Sequence, residues 1–215
     1  MGILGDAMKK FDQSRFCLLV CWALLLVLSW NTSVQAHVGG HSSGGGGMQS
    51  GFLHPISGLD HALAMLAVGL WGAQLGLPAL WLLPIAFPLV MALGGAMSLI
   101  GIPLPAVEVG IAGSGVVLGL MVLFEVRPPL AVSLLLVGFF ALFHGHAHGT
   151  ELPAGESGLW YSLGFVVSTG LLHAAGIGLG SIHRWEWGRI CLRAAGAVVL
   201  AGGIYFLSGS LGWFA

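Results

Sequence analysis

Charge is what this chain has least of. Its 215 residues carry 7 Lys+Arg and 8 Asp+Glu, a charged fraction of 7%. An ordinary soluble domain has roughly a quarter. With so few cations there is no basic patch to meet phosphates, so nucleic acid is not an expected partner. Thiols are scarce as well. The three cysteines form no C-x-x-C, which gives a thiolate metal site no support. No G-x-x-x-x-G-K-[ST] loop occurs, so ATP is not bound in the usual phosphate cradle. Polar surface sufficient to keep a fold of this size in water is missing too, which excludes a soluble enzyme and a disordered chain.

What is abundant is apolar. Hydrophobic residues make up 57% of the chain, and glycines number 36. Small residues let helices approach closely in lipid. The composition therefore predicts an all-α, polytopic membrane bundle embedded in a lipid bilayer, and no enzymatic activity is expected of it.

Lys9, Lys10 and Arg15 precede an apolar run from Phe16 to Trp30, followed by Ser33-Val34-Gln35-Ala36. The run is short for a span of roughly 20 residues, and small residues sit where a signal peptidase reads. Residues 1–36 are read as a cleavable signal peptide, 37–53 as a His/Gly-rich periplasmic leader, and 54–215 as the membrane domain. Cleavage after Ala36 leaves His37 at the new amino terminus. With His41 it forms a possible capture site for a cation.

Six transmembrane helices are expected, at about 56–76, 79–100, 104–125, 128–147, 157–181 and 189–210. Pro84 and Pro88 fall inside the second and are expected to kink it. Pairs of small residues at Gly72/Gly76, Gly115/Gly119 and Gly176/Gly180 read as packing positions. Signal removal puts the mature amino terminus outside. The loops and flanks then facing the cytoplasm hold Arg127, Arg184, Arg189 and Arg193, while Glu151 and Glu156 lie outside. This is the positive-inside pattern of a bacterial inner-membrane protein.

Ionisable groups inside a span are costly, so they need partners or a wet cavity. Here they recur at one depth. His54 precedes the first span, and Asp60 and His61 lie about one turn inside it. Neighbours on a helix point about 100° apart, so Asp60 and His61 share a direction only if the helix start is irregular, which Pro55 and Gly58 allow. His144 and His148 are i,i+4 on the fourth span, and Glu151 continues that face. His146 points nearly opposite. Glu108, one turn into the third span, is at the same level. His173 lies about 22 Å into the fifth span, a candidate relay nearer the cytoplasm. Plainer roles exist for each: a cap for His54, an internal hydrogen bond for Asp60 and His61, a tether between helices for Glu108. Together, imidazole and carboxylate suit Ni²⁺, Co²⁺, Zn²⁺ or Cu²⁺, and the lack of placed thiolates argues against Cu⁺.

The segments HPISGLDHALAMLAVGLWGAQLG, PAVEVGI, FHGHAHGTELP and LLHAAGIGLG resemble the HupE/UreJ family of hydrogenase and urease accessory membrane proteins. The distinctive parts are His-x5-Asp-His at 54–61 and Phe-His-Gly-x-Ala-His-Gly-x-Glu at 143–151. The resemblance implies a nickel or cobalt permease without a prosthetic group, the metal being its cargo. It places His54, Asp60, His61, His144, His148 and Glu151 in the motif. The alternatives are a metal-binding accessory or sensor protein that does not transport, and an intramembrane zinc hydrolase with Glu108 as base.

Overall fold

The computed structural model of the chain describes residues 46–213. Seven α-helices account for most of them: α1 Gly46–Ser57, α2 Leu59–Leu75, α3 Ala79–Leu99, α4 Val107–Leu123, α5 Leu130–Thr150, α6 Gly158–Gly180 and α7 Glu186–Ser210. A short 3-10 turn, Ser181–Arg184, joins the last two. No strand occurs among the described residues. The expected signal peptide and the histidines His37 and His41 lie outside them.

The expected first span is not one helix. Gly58, at φ −85° and ψ 100°, leaves the helical region, and α1 and α2 meet there at 79°. Residues 46–53, read from sequence as the end of a loose leader, form most of α1. Four helices, α3, α5, α6 and α7, are long and apolar enough to cross a membrane, and the bent α1–α2 pair makes a fifth if counted as one span. The expected span at 104–125 is a shorter helix of 17 residues. It starts only after Ala106, whose left-handed φ of 54° is outside the helical region. By contrast α3 runs without interruption through Pro84 and Pro88.

Helix pairing follows the glycines. Helix α3 packs along α5, α4 along α7, and α6 along both α1 and α2. At Gly145 a Cβ would strike the Met91 carbonyl, so α3 and α5 touch backbone to backbone. Of the three small-residue pairs, Gly115/Gly119 and Gly176/Gly180 are such contacts. Gly72/Gly76 is not, since Gly76 ends α2 at φ 77° and nothing lies within 4 Å of its missing side chain.

The core is filled by Leu63, Met65, Trp71, Leu83, Phe87 and Leu118. Two polar side chains in it bond to carbonyls at the end of α4 and in the turn just beyond it. Trp71 Nε1–H donates to the Val126 carbonyl at 2.9 Å, and Gln74 Nε2–H to that of Val122 at 3.2 Å. Outside, Trp81, Leu89, Leu93, Leu135, Phe139 and Leu159 are exposed. A belt of that kind is stable against lipid and costly against water.

Charge separates to the two ends. Arg127, Arg184, Arg189 and Arg193 line one cavity of about 720 Å³. Arg189 forks onto Glu125 there, at 2.8 Å. Glu151 and Glu156 lie at the opposite end, where α5 turns into α6.

Candidate metal centre

The break at Gly58 gives the centre its shape. It frees the first turn of α2, and Asp60 folds back onto its neighbour. The Asp60 carboxylate accepts both the backbone N–H of His61 and its ring Nδ1–H, each at 2.9 Å. A carboxylate offers no proton here, so Nδ1 carries the hydrogen and Nε2 keeps its lone pair. That Nε2 is buried without a hydrogen-bond partner. A Cβ on residue 58 would come within 3.2 Å of His61 Nδ1 and 3.3 Å of Asp60 Oδ1, so glycine gives this pair its room. The irregular start that the sequence permitted is what lets adjacent residues share one direction.

Three more imidazoles join from other helices. His54 comes from α1, and His144 and His148 from one face of α5. Ring centroids are 4.7 Å apart for His54 and His148, 4.6 Å for His61 and His148, and 4.8 Å for His61 and His144. Glu151, just past α5, is 2.9 Å from His54 Nε2 and 3.9 Å from His148 Nδ1. Among the described residues, His54, His148 and Glu151 are the group whose ligand atoms all lie within 4.8 Å of one another. Both ring nitrogens of His148 are buried without hydrogen-bond partners. A buried polar atom left unpaired is costly, and a divalent ion is the kind of partner that relieves it.

His144 is held by a residue the sequence reading passed over. Ser114 Oγ is 2.6 Å from the Ile111 carbonyl and 3.0 Å from His144 Nε2. The hydroxyl has one proton, which goes to the carbonyl, so Nε2–H donates to Ser114 and Nδ1 is left as an acceptor. That Nδ1 has no partner. Outer partners of this kind fix the tautomer of a metal-binding histidine. Ser114 sits among small residues, Ala-Gly-Ser-Gly. Its hydroxyl gave no signal in a search for ionisable groups at one depth.

The other sequence candidates stand apart from the trio. His146, on the opposite face of α5, donates Nε2–H to the Ile102 carbonyl at 2.9 Å. It lines, with Asp60, His61, Glu108 and Glu151, a cavity of about 670 Å³. Glu108 is exposed on that wall. His173 is buried on α6, with the Phe87 ring 5.3 Å from it and 5.4 Å from His144. Phe165 packs on His148 at 3.9 Å between ring centroids. Ser50 of α1 bonds to Glu156 and ties that helix to the loop after α5.

The family model for "HupE / UreJ protein" matches residues 24–206. The chain belongs to the HupE/UreJ family. It is also 45% identical over 185 residues to Protein HupE of Rhizobium leguminosarum bv. viciae, which covers 86% of this chain and 95% of that protein. No solved structure matches it. The match takes in both the α1–α2 break and the histidine face of α5, so this HupE/UreJ member carries the centre within the shared region.

Asp60→Ala is expected to weaken metal binding by about 10–100-fold, the range for losing an outer carboxylate partner of a ligating histidine. Titration of the purified protein with Ni²⁺ measures it. A change below about threefold would remove Asp60 from the centre, since such partners are worth more than that.

Proposed function

We propose that this protein is a secondary permease for a divalent transition metal, Ni²⁺ first and Co²⁺ or Zn²⁺ next, in the bacterial inner membrane. The carrying observation is the meeting of His54, His148 and Glu151 from separate segments, with His61 and His144 adjoining and their free nitrogens buried. Family membership agrees, because the hydrogenase and urease accessory proteins are associated with nickel and cobalt. The metal is cargo, changed in position and not in chemistry, and no prosthetic group is needed.

In this reading the bundle has six spans after a signal peptide ending at Ala36, counting α1–α2 as one and α4 as another. The mature amino terminus and the histidine end face the periplasm, and the arginine end faces the cytoplasm. A hydrated ion enters the cavity beside Asp60 and Glu151 and exchanges waters for imidazole and carboxylate. Ligands must be deprotonated, so binding releases any protons they carry, and the His54–Glu151 contact must open to admit the ion. Affinity has to stay moderate because the ion must leave again. A potential of 100 mV supplies about 2.3 kcal/mol per charge, hence about 4.6 kcal/mol for a dication, without ATP.

Proteoliposomes test this directly. With a negative-inside potential, Ni²⁺ should accumulate at least about tenfold, a ratio that about 1.4 kcal/mol of the driving force sustains, and more than in liposomes without protein. Tight binding with no flux would instead indicate an accessory or sensing role, and turnover of a lipid or peptide would indicate a hydrolase.

A further inference from the structure

Toward the arginine end, the aromatic ring next to the metal centre on α3 is that of Phe87. The carboxyl ends of α3 and α5 lie together, since a Cβ on Gly149 would meet Ser98 and the Gly95 carbonyl. From that end, at about 1.5 Å per residue, His144 is about 9 Å deep on α5 and Phe87 about 18 Å deep on α3, while His173 is about 22 Å deep on α6. Phe87 touches both imidazoles. It is fully buried, as are His144 and His173 to within 1%. By depth along the helices, the apolar Phe87 ring lies at a level between His144 and His173, a plug in contact with both.

The helix carrying the plug is weakened at that place. Pro84 and Pro88 flank Phe87, and neither has an N–H to give. The carbonyls of Leu80 and Pro84 therefore lose their helical partners. The Pro84 carbonyl is near His173, with no hydrogen bond between them. Both ring nitrogens of His173 are buried and otherwise unsatisfied, as are the hydroxyls of Ser168 and Thr169 one turn away. A backbone carbonyl freed at membrane depth is tolerated where it faces a cavity or a cation. An imidazole nitrogen beside such an oxygen makes a second station of the same ligand class as the first.

We propose that Phe87 is a gate dividing the permeation path into an outer station, at His54, His148, Glu151 and their adjoining imidazoles, and an inner one at His173 and the Pro84 carbonyl. The proposal rests on the permease reading and deepens it. The ring keeps the passage dry when closed, since a narrow apolar constriction excludes water and hydrated ions. Swinging aside needs a local adjustment of α3, which the two missing hydrogen bonds make easier. An ion leaving His144 then passes to His173 without both stations opening to water at once.

The test compares wild type, Phe87→Leu and Phe87→Trp in proteoliposomes, with Ni²⁺ titration of the same purified proteins. Wild type must first carry flux; if it does not, the permease reading fails and not the gate. Given that flux, Phe87→Trp should lower the Ni²⁺ rate at least about tenfold and Phe87→Leu should raise it severalfold, each tenfold corresponding to about 1.4 kcal/mol of barrier. Titrated affinity at the outer station should stay within about threefold in both variants, which also shows that they are folded. His173→Ala should lower flux while keeping that affinity. Unchanged flux in both Phe87 variants overturns the gate. So does a parallel loss of binding and flux in both, which would make the ring part of the outer station.

Discussion

His148→Ala is expected to lower Ni²⁺ affinity by at least about 100-fold and to abolish uptake, while the protein still reaches the membrane. His148 is the residue on which the centre closes. Its ring stands between those of His54 and His61, and it shares Glu151 with His54. Removing an outer partner of a metal ligand costs about 10–100-fold, and removing a ligand from a three-group site costs more. Folding should be spared, because neither nitrogen of His148 makes a hydrogen bond that holds a helix. Deleting it relieves two unpaired polar atoms, which offsets part of the packing lost against Phe165, so thermal stability without metal should fall less than for a buried apolar ring. Added Ni²⁺ should stabilise wild type by mass action and leave His148→Ala unmoved. A thermal scan with and without Ni²⁺ reads both effects, and equal stabilisation of the two proteins would place the ion elsewhere.

Gly145→Val should act in the opposite manner, through assembly and not through chemistry. Gly145 lies between His144 and His146, but its place is fixed by the Met91 carbonyl on α3, where a Cβ finds backbone and not a movable side chain. The helices must separate, and overpacking in a tight interface costs about 1–3 kcal/mol or more. The drop in yield and in melting temperature should persist at saturating Ni²⁺. Gly170→Ala is the control. Gly170 is helical on α6, and nothing lies within 4 Å of the place an alanine methyl would take, so alanine should be neutral or stabilise by up to about 1 kcal/mol. Equal behaviour of the two variants would mean that α3 and α5 do not touch as described.

Much of the centre was legible because charge in lipid is expensive. In a chain with so few ionisable groups, those at one depth were expected to gather; His54, Asp60, His61, His144 and His148 do meet, with Glu151, whereas His146 and Glu108 at the same level stand apart on the cavity wall. The tautomers were not legible. They follow from hydroxyl and carbonyl positions, such as Ser114 and Ile111 around His144, which no pattern along one helix reveals. Nor was the sharp turn at Gly58. A window of apolar residues looks alike whether a helix continues or breaks, and a backbone dihedral leaves no mark on hydropathy.

By itself, the sequence determined that this is an all-helical bundle with an apolar exterior, an acidic, histidine-bearing end and an arginine-rich end. Hydropathy and charge are additive along a chain, so they can be summed from composition and register. Only the tertiary structure decided which nitrogens are free, that His146 turns to the Ile102 carbonyl, and that Phe87 meets both His144 and His173. Those facts depend on the rotation and approach of separate helices, which glycine contacts such as Gly145 on Met91 set in three dimensions.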